Sequence, residues 1–320
     1  MKVMVGIFLV ILISLGSSEA AIMRIGQNMT VTDLPLEIAK EERLFEKYGL
    51  VVETMEQRTT GQLLAAGEVR GTVAANASRI IAMNAKGVPA RIVACLICRQ
   101  MTVFIVRGSF DEKRLGQELH GASIGLISVT GGASAAAYRR VVEIFRDRGV
   151  DVGSFQPVEM SYPPMISALS QGRLNGAIVN VAFLPKILRE TKGNRFKVLI
   201  DLSNEPYPFL VVSFRKDYLD RDPLAVESFL KAMAEAIWVM RSKKETALRL
   251  LASRFALSEA EVREEVYKII SGSTSPPWDM RPRYLEEAVE VGDEVQTVSV
   301  ADTTPLERLA RSGFFDQFRR

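Results

Sequence analysis

The 320-residue sequence predicts an α/β fold of two lobes around a central cleft, with extra C-terminal helices on lobe one. Three observations carry this expectation. From Arg24 to about Phe214, short apolar runs alternate with helix-length amphipathic stretches, the rhythm of helices layered on mostly parallel sheets. A short pattern recurs about one lobe later. Once a leader is removed, about 300 residues remain, more than one ordinary core accommodates.

The leader is the first element. Lys2 gives a minimal positive start, Val3 to Leu15 are apolar, and Ser18-Glu19-Ala20 fits a small-x-small cleavage site. The run is shorter than the roughly 20 residues a membrane-spanning helix needs. Residues 1–20 are therefore expected to be a signal peptide cleaved after about Ala20, and the protein to be exported.

Strands are expected at Met23–Gln27, Leu50–Met55, Thr72–Ala75, Ile92–Ile97 and Thr102–Val106, with helices near Pro35–Phe45, Gly61–Ala66 and Ala77–Ala85. The second half repeats the series with strands Ser123–Leu126, Phe155–Glu159, Ala177–Val179 and Lys197–Ile200. Leu64 to Gly71, followed by Asn76, is echoed by Leu169 to Gly176, followed by Asn180. Both read as a helix end, a glycine C-cap and a short buried strand. After Phe214 the pattern is helical, at Pro223–Arg241 and Glu245–Phe255. Capping boxes at Ser258–Glu261 and Thr304–Glu307 open two more helices. Lobe one is placed at 22–108 plus 212–320 and lobe two at 109–211. The chain is expected to cross near Arg107-Gly108-Ser109 and again between Asn204 and Pro208.

A net charge of +3, spread through the chain, is far from the concentrated basic patch of a nucleic-acid binder. Cys95 and Cys98 are the two cysteines, inside an apparent buried strand. Residues three apart on a strand point to opposite faces, so free, partly buried thiols are expected ahead of a disulfide or a metal site. The one histidine, His120, sits in a surface turn, which removes a histidine-cluster metal site. No serine or cysteine nucleophile has a recognisable partner arrangement. Neither catalytic residues, nor a metal, nor a cofactor is expected.

Ligands of open α/β sheets gather beyond the carboxyl ends of strands, which directs attention to the strand-to-helix loops. The glycine-rich stretch Ser128-Val129-Thr130-Gly131-Gly132-Ala133-Ser134 can offer backbone N–H groups and hydroxyls to an anion at a helix start. On spacing alone it reads first as an N-capping turn. The corresponding loops of lobe one supply Thr30, Thr32, Thr60, Asn76 and Ser78. Asn180 ends a lobe-two strand, Phe183 follows it, and Tyr162 and Tyr207 flank the loops. Arg58, Arg79 and Arg99 could pair with a sulfonate or carboxylate, although most of the 41 basic residues are simply solvated.

The stretch Pro35 to Glu53, with Lys86-Gly87-Val88-Pro89, Leu119 to Gly125, the Ser128–Ser134 loop, Tyr207-Pro208-Phe209 and Ser312 to Asp316, resembles the nitrate/sulfonate/taurine-type ABC-transporter periplasmic solute-binding proteins. That group also includes thiamine-pyrimidine synthase-like proteins. The resemblance implies a type II periplasmic-binding fold, a periplasmic location, a monomer that closes like a hinge on a small ligand, and an ABC permease as partner. It makes Ser128–Ser134 the preferred ligand contact. Arg70 and Asn175 stand where many relatives carry aspartate, and the cysteine- and histidine-rich segment expected of the synthase is absent. An enzyme is the alternative on this scaffold, as is a ligand-presenting sensory module.

Overall fold

The structure, a computed structural model, describes residues 22–56, 61–73, 77–190, 196–285 and 300–319. The leader, Thr60 and Asn76 lie outside the described residues. Among those described, the strands are β1 (Met23–Gln27), β2 (Val52–Glu56), β3 (Gly71–Thr72), β4 (Ala90–Arg99), β5 (Thr102–Arg107), β6 (Ser123–Leu126), β7 (Gln156–Glu159), β8 (Gly176–Asn180), β9 (Phe196–Asp201) and β10 (Pro206–Arg215). They make two five-stranded sheets, ordered β2-β1-β3-β10-β4 and β7-β6-β8-β5-β9.

The two orders share one plan. Three parallel strands, β2-β1-β3 or β7-β6-β8, are followed by one antiparallel strand, β10 or β5. A last strand, β4 or β9, pairs antiparallel with it. The sheets are thus more mixed than the expected parallel series. The strand Thr102–Arg107, expected beside lobe-one strands, instead pairs with β8 and β9 in the second sheet. The chain therefore leaves the first sheet at Gln100-Met101, earlier than the expected Arg107–Ser109. Apolar runs mark a strand but not its partner, which explains the difference. The return runs through Leu202–Glu205, and the two connections lie side by side. Gln100 N–H donates to the Glu205 carbonyl at 2.8 Å, and Leu202 N–H to the Thr102 carbonyl at 3.2 Å.

The internal echo has a physical basis. Gly67 and Gly172 both end a helix in the left-handed region, at φ +76° and +74°. Four residues later Gly71 and Gly176 open β3 and β8. A Cβ on Gly71 would lie 2.7 Å from the Phe214 ring, and one on Gly176 would lie 2.2 Å from the Phe104 ring. Each lobe thus seats an aromatic ring of its antiparallel strand on a glycine.

The cysteines are joined by a disulfide, contrary to the expected free thiols. The strand alternation is broken there. Ile97 pairs with Leu210 but Cys95 with Val211, so Leu96 is an extra residue on β4. One bulged residue shifts the two-residue periodicity and brings positions three apart to the same side.

Apolar residues flank both sheets. The helix Pro223–Ser242 buries Val226, Phe229, Leu230 and Met233 beside the helix Leu34–Glu41, and Phe45 stacks on Phe229 at 5.1 Å. In the second sheet Phe104 meets Phe145 edge to face at 5.5 Å. Two late helix starts lie one residue from their expected caps. Glu259 precedes the helix Ala260–Ser273, and Thr303 precedes Thr304–Arg311, where Thr303 Oγ1 bonds Glu307 Oε1 at 2.7 Å. Among the described residues no helix is long and apolar enough to cross a membrane.

Candidate functional site

A cavity of about 260 Å³ opens where the carboxyl ends of β1, β6 and β8 meet. From the first sheet come Asn28, Thr30 and Thr32 after β1, Arg79 from the helix Ala77–Ala85, and Phe209 and Leu210 from β10. The second sheet supplies Thr102, the loop from Ile127 to Ser134, Tyr162, and Ile178, Asn180 and Phe183 at the end of β8.

Each wall is held by local hydrogen bonds. Thr30 and Thr32 share a hydrogen bond between their hydroxyls at 2.7 Å. Thr30 N–H donates to Asp33 Oδ2 at 3.0 Å, closing the turn Val31–Asp33. Asp33 is buried, and its Oδ1 has no hydrogen-bond partner. Burial pushes its carboxyl up to about 7, against the lowering effect of the Thr30 N–H and with a further rise from Glu37. Across the cavity, Ile127 N–H donates to Ser134 Oγ at 3.1 Å, and Val129 N–H to Glu159 Oε1 at 2.6 Å. Gly131 is extended and caps the helix Gly132–Asp147; Gly132 takes φ +83°, which favours glycine. The 16-residue helix directs its N-terminal N–H groups and partial positive charge at the cavity.

Asn180 is buried and caps the next turn through Oδ1, which accepts the Ala182 N–H at 2.8 Å. Its own N–H donates to Tyr162 Oη at 3.1 Å. Burial pushes the Tyr162 phenol up to about 12, so it stays neutral. Its ring packs on Phe183 with centroids 4.9 Å apart. The cavity therefore has a polar, electropositive side around Arg79 and Gly131–Gly132, and an apolar side of Tyr162, Phe183 and Phe209. Its described lining contains no carboxylate, lysine, histidine or cysteine.

Of the residues expected from sequence, Thr30, Thr32, Ser128, Gly131, Gly132, Ser134, Asn180 and Phe183 line the cavity together. Thr130 is exposed on the loop, 3.4 Å from Ser128 Oγ, outside the lining. Ser78 and Tyr207 also lie outside it, and Tyr207 is buried. The register between β10 and β4 shifts between Pro206 and Leu210, so Phe209 rather than Tyr207 faces the cavity. Thr60 and Asn76 are not described. Sequence reasoning did not single out Thr102, whose hydroxyl is buried without a partner, nor Ile127 and Ile178. Arg79 carried a signal, a cation one turn into a helix after a strand, shared with too many arginines to stand out. Among the described residues, no cluster of three or more histidine, cysteine or acidic side chains could hold a metal.

Comparison with known proteins extends this geometry. The periplasmic aliphatic sulphonate binding protein SsuA from Escherichia coli aligns with a TM-score of 0.68 at 17% identity, covering 92% of each chain. The alkanesulfonate-binding protein SsuA from Xanthomonas axonopodis pv. citri, solved bound to MOPS, aligns at 0.66 and 16% identity, covering 95% of each. The desulfurization enzyme DSZB aligns at 0.66 and 10% identity, covering 91% of this chain and 99% of that one. These likenesses establish the expected periplasmic-binding-protein fold, two α/β lobes beside a cleft. No curated protein matches the sequence. The family model described as NMT1/THI5 like matches residues 33–247, two thirds of the sequence. The chain belongs to the NMT1/THI5-like family.

Proposed function

We propose that the chain is the extracytoplasmic solute-binding component of an ABC importer, capturing a small organic anion by hinge closure. The observation that carries this reading is the cavity itself: the Gly131–Gly132 helix start and Arg79, from different sheets, line one small space. A helix N-terminus and a guanidinium both favour a carboxylate or sulfonate. Tyr162, Phe183 and Phe209 give the remainder of the ligand an apolar seat, the usual composition of a small-molecule site. That favours an organic acid over a bare inorganic ion such as nitrate.

The lobes divide at the paired connections, Gln100-Met101 and Leu202–Glu205. Two adjacent strands crossing between lobes are suited to hinge motion. Likeness to a periplasmic sulphonate-binding protein supports a periplasmic location; signal cleavage near Ala20, a monomer and a permease partner belong to the same proposal. An enzyme on the same scaffold is the second reading, favoured by the likeness to DSZB. Against it stands a cavity lining whose described residues offer no general base and no activated nucleophile.

The test is thermal unfolding of the mature protein with a panel of aliphatic and aromatic sulfonates, aromatic carboxylates, nitrate, bicarbonate and pyrimidine precursors. A specific ligand raises Tm with concentration, by about 2.7 kcal/mol of stabilisation at 100 times its Kd. Flat melting temperatures across the panel, in folded protein, contradict the reading. Turnover of a stabilising ligand would move the assignment to the enzyme.

A further inference from the structure

A second pocket, of about 340 Å³, lies beside the inter-lobe connections and shares no lining residue with the cleft. Arg99, named from the sequence as a candidate anion ligand, lines this pocket and not the cleft. It ends β4, immediately before the Gln100-Met101 connection, and its Nη1 donates to Asn204 Oδ1 in the return connection at 3.3 Å. The opposite wall is anchored to the same strand. Ser275 N–H donates to the Leu96 carbonyl at 2.7 Å, and Cys95 N–H to the Met280 carbonyl at 2.8 Å, which ties the segment from Ser275 to Arg281 along β4.

The charge of this pocket is lopsided. Four guanidiniums line it, those of Arg99, Arg241, Arg281 and Arg283, against one carboxylate, Asp279. Asp279 is already paired with Arg283 at 2.6 Å. Arg241 turns one nitrogen to the Ser271 and Thr274 carbonyls, at 3.2 and 2.6 Å, where it offsets the partial negative end of the helix Ala260–Ser273. Arg281 is exposed, and its side chain holds no ion pair or hydrogen bond among the described residues. Like charges gathered in one concavity repel one another, and a bound anion relieves that repulsion. Planar guanidinium forks match the oxygens of a tetrahedral oxyanion, and the Ser273 and Ser275 hydroxyls in the same lining add neutral donors.

We propose that this pocket is a second anion site, separate from the cleft, that takes a small tetrahedral dianion of the sulfate or phosphate class. Arg99 and Arg281 supply forks with N–H groups to spare, and Arg241 and Arg283 the surrounding positive charge. Because Arg99 also bonds Asn204, the anion sits against a contact that joins the two inter-lobe connections. The inference is independent of which ligand the cleft takes.

Calorimetric titration of the mature protein with sodium sulfate, and separately with sodium phosphate, tests it at an ionic strength held constant by sodium chloride. At least one of the two binds saturably, with a Kd of about 1 mM or tighter. Arg281→Gln, at a side chain whose removal leaves no described partner unpaired, weakens that binding about tenfold or more. Arg79→Met, in the cleft, leaves it intact. Circular dichroism checks that both variants are folded. No saturable binding of either anion overturns the site. So does binding that R281Q does not weaken, or binding that R79M abolishes, since either places the anion elsewhere.

Discussion

Asp33 shows how a single residue near the cleft couples charge to stability. Its carboxyl is buried and hydrogen-bonded to the Thr30 N–H, yet burial, with Glu37 nearby, holds it near 7 instead of 3.8. Glu37 itself faces Lys40 at 2.8 Å and Arg254 at 3.6 Å. The folded state keeps a proton that the unfolded chain releases between about pH 4 and pH 7. Stability linked to Asp33 is therefore full below the unfolded value and is lost as pH rises through 7. A shift of about three units corresponds to about 4 kcal/mol. Asp33→Asn, which keeps an oxygen for the Thr30 N–H, should be more stable than the unmodified protein at pH 8 and close to it at pH 4. Urea unfolding at both pH values measures this; an unchanged pH slope in the variant contradicts it. Arg79→Met should weaken capture of any stabilising anion about tenfold or more by titration, and undiminished affinity would remove Arg79 from the site. Thr30, Thr32 and Asn180 were legible because small polar residues after a strand have few other places to go. Tyr207 was not, since a register shift in β10 decides which aromatic faces the cavity.

Among the elements, the two glycine-opened strands give the sharpest stability test. Gly176→Ala drives a methyl into the Phe104 ring, and Gly71→Ala meets both the Phe214 ring and the Ser213 carbonyl, at 2.7 Å. Overpacking of this kind costs about 1–3 kcal/mol. Each variant should lose several degrees of Tm in a calorimetric scan. Gly272→Ala, in the helix Ala260–Ser273 with open space at its Cβ, should gain about 0.5–1 kcal/mol. Equal effects at all three positions would contradict the close ring contacts. The glycine echo was visible in the sequence because it is local. Strand β10 escaped notice because it opens with Pro206-Tyr207-Pro208, which reads as a breaker, and because its partners β3 and β4 are remote in sequence. The Leu96 bulge was hidden for the same reason: it exists only relative to β10, and without it the two cysteines appear to diverge.

At the scale of the whole molecule, the doubled α/β series announced two sheets, but not which strands cross between them. Strands β5 and β10 each join the other half of the plan, and their pairing is set by the tertiary packing of rings such as Phe104 and Phe214. The paired connections Gln100-Met101 and Leu202–Glu205 are the narrow place about which closure would occur. Differential contacts in the closed state would then supply the shift. Small-angle scattering should record a smaller radius of gyration with a saturating ligand than without one, and an unchanged radius would refute closure. The central claim is that a small anion is held between the sheets at the Gly131–Gly132 helix start. A crystal structure of the mature protein grown with the anion that most raises its Tm tests this most directly. The account predicts an acid group against the Gly131 and Gly132 amides, with Thr30, Thr32 and Arg79 closing from the opposite lobe. Density for the anion elsewhere, or a Ser128–Ser134 loop turned away from it, would contradict the account.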